Sequence, residues 1–296
     1  MPLKLENVIF IIFSLCFLVL VSAGVYKMTI PDEASVHNES SVKETKRVPV
    51  LMYHHISETV IDGSNISPQR FKEHMEILKK YGYNTITDYD LYDYLQQNKP
   101  LPTNPILITF DDGYQSNYQY AYPILKELNM KATIHLITSR VIEENNLYPN
   151  ETIKMSWEEV QASQDVFSFQ GHTHDAHFKE KNIIGKSKGV ITGRMKLNGK
   201  LETKEEYENR VLEDLKTSKT MIEEKLGTKV IAFAYPFGDY SKDTIELVKK
   251  AGHKMAYTIE QGNVTKKDNL FELKRITGHG DLTAEELIAT IKKYEN

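Results

Sequence analysis

One cysteine and one tryptophan are all that this 296-residue chain has of either type. The cysteine, Cys16, lies in an apolar N-terminal run, so no disulfide can staple the remainder and no thiolate cluster can hold a metal. Charge of one sign is missing as well. The 37 Lys and Arg are balanced by 41 Asp and Glu, for a net −4 with both signs scattered. Such a surface offers no basic face for a nucleic-acid backbone, and no nucleic acid is expected as partner. No internal repeat is visible. Any metal chemistry must therefore rest on imidazole and carboxylate.

Charge is also absent from residues 7 to 26, a run long enough to cross a bilayer once. Its flanks carry Lys4 and Glu6, and Val21-Ser22-Ala23 offers a small-residue cleavage site. The expectation is an N-terminal anchor over residues 1–27, with a signal peptide cleaved after Ala23 as the alternative. Residues 28–47 are polar and lack aromatics, as a tether does. The remaining domain is then residues 48–296, expected on the extracytoplasmic face of the membrane and as a monomer.

From Val48 onward, strand-like and helix-like stretches alternate, the pattern of parallel βαβ units in an α/β fold. Strands are expected at 48–53, 106–110, 132–137, up to Gln170, 230–235 and 254–259. Helices are expected after the Ser67-Pro68 cap, through Tyr118 to Leu128, from Ser156, and over 203–226, 242–251 and 284–293. Residues 178 to 202, rich in Lys, Gly and Asn, read as an inserted loop near the mouth of a site. Trp157 reads as core packing.

Two stretches carry chemistry. Leu107-Ile108-Thr109-Phe110-Asp111-Asp112-Gly113 ends an apolar strand in two carboxylates. Asp-Asp-Gly alone is ordinary turn chemistry. Gly171-His172-Thr173-His174-Asp175-Ala176-His177 packs three of the ten histidines into six residues. Both stretches follow strands, as does Ala234-Tyr235-Pro236-Phe237-Gly238. In parallel α/β folds the strands' carboxyl ends converge on the active site. Two imidazoles and a carboxylate suffice for a zinc-like ion, with one carboxylate over to serve as base. The composition points to metal-assisted hydrolysis.

These motifs, in this order, resemble those of the polysaccharide deacetylases, the NodB-homology family or carbohydrate esterase family 4, over roughly residues 48 to 292. The resemblance is nearest to the poly-N-acetylglucosamine deacetylase branch, where the second histidine follows the first by five residues, as His177 follows His172. Members with a spacing of four would have a histidine where this chain has Ala176. The resemblance implies a distorted (β/α)7 barrel and a divalent ion, Zn2+ by expectation, held by Asp112, His172 and His177. It also implies Asp111 as general base and an oxyanion site at Tyr235, Pro236 and Phe237. For the acid, Arg275-Ile276-Thr277-Gly278-His279-Gly280 resembles a late histidine motif, making His279 the first candidate and His54 the second. Two departures stand out: Ala234 replaces an arginine that orients the base in many members, and no Asp-Trp acetyl-pocket pair is visible. The implied function is removal of N-acetyl groups from an N-acetylglucosamine-containing cell-surface polysaccharide. Alternatives are a peptidoglycan or chitooligosaccharide deacetylase, an O-acetyl esterase, or an inactive carbohydrate-binding module on the same fold.

Overall fold

The computed structural model describes residues 47–59, 64–141, 151–181, 185–197 and 199–295. The expected N-terminal anchor and nearly all of the tether lie outside these residues. Among the described residues, no helix is long and apolar enough to cross a membrane.

Seven parallel strands close into a barrel. They are β1 (Val50–Tyr53), β3 (Pro105–Asp111), β4 (Ala132–Leu136), β5 (Phe167–Gly171), β10 (Ala232–Ala234), β11 (Met255–Gln261) and β12 (Leu273–Thr277). β1 closes the ring by pairing with β3 on one side and β12 on the other. A two-residue strand, β2 (Asn84–Thr85), lies outside the ring against β3. The barrel is irregular: the register shifts between β11 and β12, and β10 meets β5 at a single residue pair, Phe233 with Gly171.

Helices follow the strands in sequence: α1 (Pro68–Lys80), α2 (Asp88–Gln97), α3 (Tyr122–Glu127), α4 (Trp157–Ala162), α5 (Lys204–Leu226), α6 (Lys242–Lys250) and, after the last strand, α7 (Ala284–Lys293). Their starts are written locally. Ser67, Ser156, Thr203, Ser241 and Thr283 each accept a hydrogen bond from the backbone N–H three residues on, and all but Ser67 complete a reciprocal capping box. The expected inserted loop instead contains two small antiparallel hairpins, β6 (Lys179–Lys181) with β7 (Ser187–Gly189) and β8 (Lys196–Leu197) with β9 (Lys200–Leu201). Trp157 is buried in the main core, as expected.

Alternation along the strands sorts the side chains. Ile106, Ile108 and Phe110 of β3 join Ile134, Leu136, Phe167 and Phe169 in the core shared with Phe71, Met75 and Leu78 of α1. The intervening positions form a polar interior. Thr109 and Asp111, Thr133 and His135, Ser168 and Gln170, Tyr257 and Arg275 contact one another or neighbouring interior groups.

Asp88, at the first turn of α2, is fully buried within this interior. It accepts hydrogen bonds from Tyr257 Oη (2.8 Å) and from the Thr133 hydroxyl. Replacing it with alanine orphans the buried Tyr257 hydroxyl and leaves the Thr133 hydroxyl with Ser168 Oγ alone, at 3.2 Å. Asp88→Ala should therefore lower the unfolding free energy by about 1–3 kcal/mol, the cost of a buried group left without a partner. Urea denaturation measures this, and an unchanged midpoint would refute it.

Candidate metal centre and catalytic carboxylate

The loops that follow β3, β5 and β10 meet at one end of the barrel. Asp111 is the last residue of β3 and points inward with Thr109. In an extended strand the next side chain would face the opposite way, but Asp112 has φ +73° and Gly113 φ +67°. That left-handed turn swings the Asp112 carboxylate to the same end as Asp111. Glycine suits that conformation, and a Cβ at Gly113 would in addition lie 2.7 Å from Leu136 Cδ2 and force that side chain to shift.

Asp112 Oδ1 lies 3.3 Å from His172 Nε2 and 3.2 Å from His177 Nε2, and the two Nε2 atoms are 3.1 Å apart. Among the described residues this trio is the one group of three or more such side chains placed to hold a metal ion. The donor set fits a zinc-like ion. Two imidazoles and a carboxylate match its chemistry, and the spacings are about those between neighbouring ligands bonded at about 2.0–2.1 Å in tetrahedral geometry. His172 Nδ1 lies 2.7 Å from the Ala234 carbonyl, to which it donates. That bond fixes the tautomer with its Nε2 lone pair facing the cluster, the usual outer support of a histidine ligand.

The five-residue spacing has a structural cause. Asp214 of α5 accepts the backbone N–H groups of His174, Asp175 and Ala176 at 2.7–2.9 Å. This cap holds the turn between the two histidines, with Thr173 at φ +89° and Ala176 buried against the second core. His174 turns away, its Nδ1 3.0 Å from Thr138 Oγ1. His177 packs its ring against Phe237 at 4.6 Å, and burial followed by repulsion from His172 lowers its pKa to about 4.

The neighbouring carboxylate is held quite differently. Arg275 of β12, fully buried, donates from Nη1 to Asp111 Oδ1 (2.8 Å) and from Nη2 to Oδ2 (2.7 Å). Its Nε donates to the Thr258 carbonyl and Nη1 also to Thr109 Oγ1. Burial alone would push the Asp111 carboxyl up, but the Arg275 guanidinium together with the nearby imidazoles of His135 and His172 holds the carboxyl well below the usual range. His54 Nε2 stands 3.9 Å from Asp111 Oδ2.

Other expected residues are placed less uniformly. Phe237, at φ +61°, lines a cavity of about 220 Å³ together with Asp112, Tyr114, Lys154 and His177. Tyr235 and Pro236 do not line it. The Tyr235 side chain is committed to the core, with Oη donating to the Phe271 carbonyl. His279 lies exposed on the turn after β12, where its carbonyl accepts the Leu282 N–H. Gly278 is pressed against Tyr53, which leaves no room for a Cβ. Of the two histidines considered for the acid, it is thus His54 that stands near Asp111. Sequence reasoning missed Arg275, Tyr114, Lys154 and Asp214. Lys154 places its Nζ 3.3 Å from the Tyr114 ring centre, and burial pushes its pKa down to about 8.

The polysaccharide deacetylase family model matches residues 98–256, more than half of the chain. The Bacillus subtilis protein YxkH, placed by its name among the polysaccharide deacetylases, is 29% identical over 230 residues, covering 78% of this chain and 71% of that protein. A poly-β-1,6-N-acetyl-D-glucosamine N-deacetylase of Staphylococcus aureus is 28% identical over 239 residues, covering 81% and 76%. Among solved structures, a de-N-acetylase from Aggregatibacter actinomycetemcomitans superposes with a TM-score of 0.74 at 23% identity, covering 83% of this chain and 100% of that one. IcaB from Ammonifex degensii gives 0.68 at 24% identity, covering 83% and 97%. At that identity both speak to the fold alone. The chain belongs to the polysaccharide deacetylase family.

Because Asp214 holds three amides of the histidine turn, Asp214→Ala should speed hydrogen exchange at His174, Asp175 and Ala176. An increase of about tenfold or more corresponds to the roughly 1–1.5 kcal/mol of a net hydrogen bond. Exchange rates equal to the parent's would show that the turn is held by something else.

Proposed function

We propose that this family member is a metal-dependent N-deacetylase of an extracytoplasmic, N-acetylglucosamine-containing polysaccharide. The observation that carries the reading is the Asp112–His172–His177 cluster beside an ionised carboxylate, Asp111, that belongs to no such cluster. A simple carbohydrate binder needs neither part. The similarity to a poly-N-acetylglucosamine deacetylase supports the substrate class.

In this reading Asp112, His172 and His177 hold a divalent ion, with Zn2+ the best match to the donors. When bound, such an ion supplies Lewis acidity toward water and toward an acetamide carbonyl. Asp111 takes the proton of the attacking water. Its carboxylate is fit for that task because Arg275 keeps it charged and fixes its plane. The backbone N–H of Phe237, on a turn at the cavity wall, serves the developing oxyanion. The C–N bond then breaks, and the departing nitrogen must gain a proton. His54 is assigned as that acid in place of His279, because its ring stands beside Asp111 whereas His279 is exposed on a turn.

Acetate release from a panel of polymers tests the substrate class: poly-β-1,6-N-acetylglucosamine, peptidoglycan, chitin oligomers and an O-acetylated xylan. The reading requires the first to be the best substrate; release only from the xylan would replace amide by ester chemistry.

The split between the adjacent carboxylates is testable without the natural substrate. Asp111→Asn should keep near-parental zinc while activity falls by about 10²–10⁴, the usual contribution of a positioned general base. Asp112→Asn should lose metal and activity together. Equal metal content in the two variants would mean that the roles are wrongly divided.

The acid assignment predicts unequal effects of two histidine substitutions. His54→Ala should reduce kcat by about 10²-fold or more, within the range for general acid catalysis. His279→Ala should stay within a few fold of the parent. The reverse order in a kcat comparison would restore His279.

A further inference from the structure

The reading above leaves one buried imidazole beside the base without a task. His135 lies on β4 in register with Asp111 of β3, and its side chain is fully buried. Its Nδ1 stands 3.2 Å from Asp111 Oδ1. Neither ring nitrogen has a hydrogen-bond partner of good alignment among the described residues. A buried polar group left in that state costs about 1–3 kcal/mol, so its retention needs a reason. Packing does not supply one, because leucine or phenylalanine would fill the space without the penalty. The ring's flank is occupied by Tyr257, edge to face at 5.5 Å, whose hydroxyl is already given to Asp88. The polar atom facing Nδ1 is therefore the carboxylate oxygen.

Resting on the deacetylase reading, we infer that His135 is a positioning residue for Asp111: its Nδ1–H, with Arg275, occupies Oδ1 and leaves Oδ2 as the oxygen that accepts the proton of water. The assignment follows from counting acceptor sites. A carboxylate oxygen accepts about two hydrogen bonds. Oδ1 faces Arg275 Nη1 at 2.8 Å and His135 Nδ1 at 3.2 Å, which fills it. Oδ2 takes one bond, from Arg275 Nη2 at 2.7 Å, and its open side is the one His54 approaches to 3.9 Å. Acid and base thus share one oxygen's neighbourhood. Burial lowers the His135 pKa despite the pull of Asp111, so the ring is neutral and carries one N–H. Catalytic hydrogen bonds are often long or poorly aligned in ligand-free structures and tighten in the working complex.

The test compares His135→Leu, which removes the donor, with His135→Asn, whose amide can place a donor near the same spot. Acetate release from a β-1,6-N-acetylglucosamine oligomer is followed together with zinc content. The expected result for His135→Leu is a tenfold or greater fall in kcat, with KM and zinc within twofold of the parent. His135→Asn should recover most of the loss. Equal kcat in His135→Leu and parent overturns the inference, as does a His135→Asn variant no better than His135→Leu. A second reading is independent of activity. In 15N-histidine NMR of the parent, His135 should be a neutral Nδ1–H tautomer whose signal shifts in Asp111→Asn. An Nε2–H tautomer overturns the inference whatever the activity. If the tautomer is as expected and no acetate is released from any polymer, the deacetylase reading falls and the placement of His135 stands.

Discussion

A guanidinium and a carboxylate, both sealed from water, face each other across the barrel at Arg275 and Asp111. Taking two such charges out of solvent costs several kcal/mol per ion, and mutual attraction repays it only with good geometry and further hydrogen bonds. The chain meets both conditions. The contact is bidentate, and Arg275 gives two further donors to Thr109 Oγ1 and the Thr258 carbonyl. The pair spans the closure of the ring, because β1 lies between β3 and β12 and pairs with both. The contact that keeps Asp111, the proposed base, charged therefore also ties together the two strands that flank β1. Neither strand can be displaced without leaving a buried charge uncompensated.

This pair also marks where the sequence was silent. Strands rich in apolar and β-branched residues, such as Ile106–Phe110 and Ala132–Ile137, were legible, as were the helix after the Ser67-Pro68 cap and the long charged helix from Thr203. β12 was not. Leu273-Lys274-Arg275-Ile276-Thr277 puts two cations in five residues and reads as loop, because period-2 patterning assumes that inward positions are apolar. Here the inward position is Arg275, and the barrel interior is polar. The same misreading turned the segment into a histidine motif and drew the acid to His279. The α2 helix was missed as well; its Tyr- and Asp-rich sequence, Asp88–Gln97, has a weak apolar stripe. The carboxylate pair and the His172–His177 spacing were legible because they are contiguous in sequence. Arg275, Asp214 and His135 come from separate elements, and only the fold brings them to the site. Ala234 illustrates the distinction: the chain lacks the arginine expected there, yet a guanidinium reaches Asp111 from another strand, while Ala234 itself supplies a carbonyl to His172.

Backbone strain is concentrated at this end of the barrel. Of the six non-glycine residues with positive φ among those described, Asp112, Thr173 and Phe237 all belong to the three motifs. Thr173 is the costliest, since a β-branched residue is a genuine outlier there. Strain of about 1–3 kcal/mol per position persists only where the surroundings over-determine it. At Thr173 they do: the side chain is buried, and Asp214 gathers the next three amides. At Asp112 the following glycine continues the turn into a gap closed by Leu136. What each strained position gains is direction. Asp112 is turned back toward Asp111, His172 and His177 are set one short turn apart, and the Phe237 ring is brought against His177.

Two carboxylates in consecutive positions thus become chemically unlike through what surrounds them. Asp111 faces inward, where Arg275 binds both of its oxygens, and the imidazoles of His135 and His54 at 3.2 and 3.9 Å form no ligand trio with it among the described residues. Asp112 faces outward, where two imidazole nitrogens with no guanidinium between them stand at ligand spacing. Exchanging the two side chains is chemically null, yet exchanging their environments would put the proposed ligand carboxylate against the guanidinium and the proposed base among histidines. The division of labour is therefore a property of the left-handed turn at Asp112 and of the strand opposite. It does not reside in the Asp-Asp-Gly sequence, which occurs in ordinary turns that catalyse nothing.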